Sequence, residues 1–228
     1  MAYNLNNKLV IAISSRALFD LEEENQIFEK DGLDAYYKYQ LENEDKSLKK
    51  GTGYRLVENI LKINSFFSSD ERQVEVIILS KNNAATSLRI TNAINDLKLD
   101  IIRSAWTSGT NISNYLKAFK VDLFLSADDN DVLNAIENGV AAAKILHSNE
   151  NIHNISNEQV RIAFDGDAVL FSEESELVYK NHGLEAFIEH EKENRNNPLE
   201  MGPFAKLLLT IAKIQAKFPT DKSPIRTA

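Results

Sequence analysis

The 228-residue sequence contains no cysteine. That excludes a disulfide framework, a zinc ribbon and a thiol nucleophile, and it is compatible with a reducing compartment. Glycine and proline are scarce, at 8 and 4, which leaves little room for long linkers or for disorder. Long hydrophobic runs are missing too. The first apolar stretch, Leu9 to Ile13, is too short for a signal core or a membrane span. Positive charge is in the minority: 26 basic residues against 34 acidic give a net charge of −8. Such a surface repels phosphate backbones and anionic membranes, and no local basic patch interrupts it. What remains is 43% hydrophobic and 26% charged, enough to bury a sizeable core. The expectation is a soluble, cytoplasmic protein of one large domain, or of one domain and part of another, without nucleic-acid polymer or membrane as partner.

Four short runs are almost continuously apolar: Leu9–Ile13, Val74–Leu79, Val121–Leu125 and Val160–Phe164. Strands buried on both faces of a parallel sheet have this character. Between them, Tyr54–Phe67, Ala84–Leu97 and Val132–Ala143 carry helical spacing. Strands alternating with helices predict a doubly wound α/β fold with parallel sheets flanked by helices. The polar stretch His147–Glu158, rich in Asn and Ser, reads as a connector.

The most informative feature is an internal repeat. Aligning 9–67 with 160–218 at a constant offset of 151 makes about 17 of 59 positions identical. Ile11, Ala12, Ala17, Gly32, Leu33, Asn43 and Gly51 return as Ile162, Ala163, Ala168, Gly183, Leu184, Asn194 and Gly202. Conservative pairs fill the gaps, among them Phe28 with Tyr179 and Tyr36 with Phe187. The fold is therefore expected to hold duplicated Rossmann-like units, over 1–150 and 151–228. In the same register Val74 falls on Ile225, so the chain stops as the corresponding strand begins. A second unit that is incomplete, from a fragment or a truncated product, is the expectation.

The two copies differ where chemistry is expected. Asp165 and Asp167 stand directly after a strand in the second copy, where the first has Ser14 and Arg16. Ligands of open α/β sheets bind beyond the carboxyl ends of the strands. Two carboxylates there suit a divalent cation, since Mg²⁺ takes one or two carboxylates together with substrate phosphate oxygens. By spacing alone, the pair serves equally well as an Asx turn or a helix cap.

The run Asp165-Gly166-Asp167-Ala168-Val169 after Ile162-Ala163-Phe164 resembles the first motif of the haloacid-dehalogenase-like phosphohydrolases. Val160–Pro203, Val10–Leu21 and Lys117–Ala143 are similar to the cytosolic 5′-nucleotidase type I family. The resemblance implies a Mg²⁺-dependent hydrolase of nucleoside 5′-monophosphates. Asp165 would be the nucleophile that forms an aspartyl-phosphate, and Asp167 the general acid and base. Both would be metal ligands. It also implies self-association of copies. The positions corresponding in the first copy hold Ser14, Arg16, Ser80, Ser126 and Ala127, so that copy is expected to be a degenerate, non-catalytic companion. The alternative is that the whole chain is a catalytically inactive nucleotide- or metal-binding or assembly module.

Other clusters are read more plainly. Asp128, Asp129 and Asp131 precede a helical segment and are expected to cap it. Ser80-Lys81-Asn82-Asn83 is as well suited to holding an anion as to capping. His182 and His190 are expected at the surface, Tyr36, Tyr37 and Tyr39 in the core, and Glu22–Glu24 on a solvated helix face.

Overall fold

The computed structural model describes residues 4–147, 159–172, 174–197, 200–202 and 204–228, with the backbone alone at 167 and 168. The chain forms two compact units, Met1–Glu158 and Gln159–Ala228. Most of the connector read over His147–Glu158 lies outside the described residues.

In the first unit, β1 (Leu9–Ile13) is buried along its whole length. A one-turn helix α1 (Ser15–Leu18) leads into a short ribbon strand β2 (Phe19–Asp20). The long segment α2 (Glu22–Glu42) follows, and β3 (Lys49–Lys50) returns antiparallel to β2. Thus α2 is an insertion between the two strands of a ribbon. Its two halves meet at Gly32, where φ is 84° and ψ −176°. That region of the map is open to glycine and costly to other residues.

The remaining elements are α3 (Tyr54–Lys62), β4 (Val74–Ser80), α4 (Leu88–Asp96), β5 (Arg103–Trp106), α5 (Ser113–Ala118), β6 (Leu123–Ser126), α6 (Asp129–Glu137) and β7 (Ala142–Lys144). Five strands form one sheet in the order β5-β4-β1-β6-β7, and every neighbouring pair is parallel. Strand side chains alternate between faces. Val10, Ala12, Ile77 and Leu79 therefore share one face and bury against Ile112, Leu116 and Ala135. Val57, Ile60 and Ile63 are buried as well, and α3 packs on β4.

Two expectations need correction. The helix read over Val132–Ala143 ends at Glu137, and Ala142–Lys144 is a strand. Gly139, with φ of 76°, stops the helix, and pairing with β6 decides the conformation of the alanines. The helix read from Ala84 starts at Leu88, because Asn83 and Thr86 close a hydrogen-bonded turn ahead of it.

The second unit repeats the opening of the first. β8 (Val160–Ile162) is followed by a π-turn, Gly166–Leu170, then α7 (Glu174–Asn194), α8 (Ala205–Gln215) and β9 (Ile225–Thr227). β8 and β9 pair in parallel with Val160 opposite Ile225. The same register puts Leu9 opposite Val74 in the first unit. α7 bends at Gly183 with φ 83° and ψ −176°, matching Gly32. Phe28 and Tyr36 meet edge to face at 5.9 Å, as do Tyr179 and Phe187 at 6.1 Å. The amide of Asn43 donates to the Tyr39 carbonyl and that of Asn194 to the His190 carbonyl.

Gly51 and Gly202 each sit where the ribbon closes on the turn. A Cβ on Gly51 would lie 2.7 Å from the Phe19 carbonyl carbon, and one on Gly202 would collide with the Phe171 carbonyl oxygen. The amide of Gly51 donates to Leu18, and that of Gly202 to Leu170. In the duplicated register the second contact is shifted by one residue, which the wider π-turn accounts for.

Candidate functional site

Ser14 and Asp165 occupy the same place in their units, one residue or a few beyond the first strand. Their backbones agree closely, with φ/ψ of −74°/153° for Ser14 and −72°/152° for Asp165. In this extended conformation each side-chain oxygen reaches forward to a backbone amide of the following turn. Ser14 Oγ accepts from the Ala17 amide at 3.3 Å, and Asp165 Oδ1 accepts from the Gly166 amide at 2.7 Å. Asp165 is exposed at the end of β8. The π-turn behind it is closed by the Phe171 amide donating to the Gly166 carbonyl. Asp167 is the second residue of that turn, and its side chain lies outside the described residues.

In the first unit the carboxyl ends of β1, β4 and β6 open into a cavity of about 720 Å³. Of this copy the sequence singles out Ser80-Lys81-Asn82-Asn83, as suited to an anion as to capping, and all four line the cavity. Its lining includes Ser14, Arg16, Phe28, Tyr36, Ser80, Lys81, Asn82, Ser126 and Asp131. The cavity lies at the place where the chain leaves β1 toward β4 on one side and β6 on the other, the usual ligand crevice of an open α/β sheet.

Its floor is a cluster of buried hydroxyls. Ser15 Oγ and Ser80 Oγ are 3.1 Å apart, and the Ser126 hydroxyl lies 3.3 Å from Ser14 Oγ and 3.5 Å from Asp131 Oδ2. Lys81 Nζ pairs with Asp131 Oδ1 at 2.6 Å. Asp128 caps α6 by accepting from the Asp131 amide, as the sequence leads one to expect of this acidic run.

The wall comes from α2, and here two expectations fail. Tyr36 is not in the core: it faces the cavity and donates to Asn82 Oδ1 at 3.0 Å. Tyr37 is exposed. Burial pushes the Tyr36 phenol above its ordinary value, opposed in part by its bonds to Gln40 and Asn82. Nor is Glu24 on a solvated face. It is 4% exposed and forms an ion pair with Arg89 at 2.5 Å, while Arg89 also reaches Gln40. In the second unit the equivalent positions of Glu24 and Gln40 hold Ser175 and Glu191. These bond directly, with the Ser175 hydroxyl donating to Glu191 Oε1 at 2.6 Å. His182 is exposed and His190 half-buried beside Asn194. Among the described residues there is no group of three or more His, Cys, Asp or Glu arranged to hold a metal.

Known proteins place the fold in context. The chain is 34% identical to human cytosolic 5′-nucleotidase 1B over 229 residues, covering 97% of this chain and 37% of that relative's length. A family model described as 5′-nucleotidase matches residues 1–228. On the strength of that full-length match, with the duplicated α/β architecture beneath it, the chain belongs to the 5′-nucleotidase family.

Proposed function

We propose that this chain carries the catalytic pair of a magnesium-dependent 5′-nucleotidase that releases phosphate from nucleoside 5′-monophosphates. Asp165 and Asp167 act in the second unit, and the first unit is a non-catalytic companion. The observation that supports this most is the matched backbone of Ser14 and Asp165. One fold position presents a hydroxyl in one unit and a carboxylate in the other.

The donor chemistry fits the cation. Asp165 offers an accessible carboxylate at a strand end, the hard oxygen donor that Mg²⁺ selects. Asp165 through its carboxylate and Asp167 through its backbone carbonyl would hold the ion, which would supply charge neutralisation between substrate phosphate and carboxylate.

The residues themselves carry the bond changes. The Gly166 amide fixes Asp165 through Oδ1, leaving the other carboxylate oxygen to attack phosphorus. The bond from phosphorus to the 5′-oxygen breaks, and the Asp167 carboxyl donates its proton to that oxygen so that the nucleoside leaves neutral. The Asp167 carboxylate then takes a proton from water. The water oxygen attacks the aspartyl-phosphate, the bond to Asp165 breaks, and phosphate departs.

Among the described residues no helix is long and apolar enough to cross a membrane. The similar human protein is named as cytosolic, and we place this one in the cytoplasm as well.

The test is phosphate release from a nucleoside 5′-monophosphate with Mg²⁺, by the 228-residue chain and by its Asp165→Asn variant. Release that the substitution abolishes is the expected result; equal release by both removes Asp165 as nucleophile. A second reading is an inactive binding or assembly module. No release by the unaltered chain would support it.

A further inference from the structure

The cavity of the first unit has no part in the chemistry assigned to Asp165 and Asp167. Its volume of about 720 Å³ lies within the span of about 300–1,000 Å³ typical of small-molecule sites. Most of its carboxylates are already engaged. Asp131 is held by Lys81, Asp128 by the amide it caps, and Glu24 by Arg89.

Two cations on the lining are partly exposed. The side chains of Arg16 and Lys81 are 37% and 45% exposed, and among the described residues Arg16 is paired with exposed Glu22 at 3.6 Å. An exposed pair of that kind holds its partner weakly. Asn82 adds a buried amide nitrogen with no hydrogen-bond partner, an unmet donor on the cavity lining. The same lining carries Phe28 and Tyr36, edge to face, with Phe28 47% exposed. Two long cations above a floor of hydroxyls suit a phosphoryl group, and an aromatic wall suits a planar ring.

We propose that this cavity binds a nucleoside monophosphate, or another phosphate monoester carrying a planar ring, and holds it without hydrolysis. Arg16 and Lys81 take the phosphate oxygens, the Asn82 amide and the serine hydroxyls complete the donors, and Phe28 and Tyr36 flank the ring. Turnover is blocked at position 14. Ser14 Oγ accepts from the Ala17 amide and the Ser126 hydroxyl, while Asp131 contacts Ser126 and Lys81. Among the described residues no carboxylate or imidazole contacts Ser14 Oγ directly, and an unactivated hydroxyl is a poor nucleophile. The inference uses residues of the first unit alone and stands whether or not Asp165 is a nucleophile.

The test is calorimetric titration of the 228-residue chain carrying Asp165→Asn and Asp167→Asn, in EDTA, with AMP, adenosine or inorganic phosphate as probe. AMP is expected to bind at one site per chain, more tightly than either adenosine or phosphate. Lys81→Gln and Arg16→Gln should each weaken AMP by about tenfold; Arg16→Gln should retain the unliganded unfolding midpoint, and Lys81→Arg, which keeps a cation beside Asp131, should keep binding. Phosphate should not be released. The proposal is overturned by absence of AMP binding, by binding that both glutamine variants leave intact, by adenosine binding as tightly as AMP, or by phosphate release from this double variant.

Discussion

Ser14 and Asp165 show what duplication of a fold preserves and what it releases. The backbone angles agree between the units, and each side chain accepts from an amide of the following turn, Ser14 from Ala17 and Asp165 from Gly166; the charge differs. Glu24 and Gln40 against Ser175 and Glu191 teach the same lesson away from the strand end. In the first unit a buried carboxylate at position 24 is neutralised by Arg89 from α4. In the second, the carboxylate has moved to the other helical half, at 191, and takes a hydroxyl from Ser175. A link between the two halves of the inserted segment is kept in both units while its chemistry changes. Geometry is held by many contacts at once, and charge by one or two.

The largest expected effect breaks that second comparison. Arg89→Met leaves Glu24 buried without its cation and should destabilise the first unit by about 3–5 kcal/mol. Ser175→Ala removes the one hydrogen bond from a buried hydroxyl to the exposed Glu191 carboxylate and should cost the second unit about 1 kcal/mol. Urea unfolding of the two variants checks the ratio; equal costs would show that the buried ion pair and the single hydrogen bond do not differ in the way their chemistry requires.

A smaller effect sharpens the comparison. Gly32 and Gly183 share φ near 84° and ψ of −176°, with open space around a Cβ at each. Alanine at either position pays only for backbone strain, about 1–3 kcal/mol, and the two costs should agree. Unequal unfolding shifts would mean that one bend is less firmly imposed than its twin.

The smallest effect depends on pH. Burial raises the Tyr36 phenol above its ordinary value of 10.0, so the folded state holds that proton more tightly than the unfolded state. Its contribution is complete below pH of about 10 and is lost as pH climbs through the raised value. Tyr39 and Tyr54 are shifted the same way by burial, and Lys8 is lowered by burial and acts in the opposite sense. Tyr36→Phe should therefore flatten the alkaline decline in stability between about pH 9 and about pH 11. An unchanged decline would place the titrating group elsewhere.

Much of the fold is legible in the sequence, because the long central strands are buried on both faces and read as apolar runs. Leu9–Ile13 and Val74–Leu79 appear almost as read, and the repeat even yields the pairing of Val160 with Ile225. The outer strands are not legible. Arg103–Trp106 has no apolar run, and Ala142–Lys144 carries residues that suit a helix; both take their conformation from the strands they pair with. Within the site, the positions of Ser14 and Asp165 follow from motif and repeat. The cavity of the first unit is legible only at Ser80-Lys81-Asn82-Asn83, because the rest of its lining, Phe28 and Tyr36 among it, comes from elements far apart along the chain. Glu24 and Tyr36 were misplaced for a related reason. A charged run and an aromatic cluster indicate a helix face only when the partner is known, and Arg89 and Asn82 lie more than forty residues away along the chain.

The most direct measurement is where the phosphoryl group lands. The protein is mixed with a nucleoside 5′-monophosphate and Mg²⁺, quenched, digested and analysed by mass spectrometry. The expected result is a phosphorylated, hydroxylamine-labile Asp165 and an unmodified Ser14. A hydroxylamine-stable phosphate on Ser14, or turnover with Asp165 never modified, would contradict the division of labour between the two units.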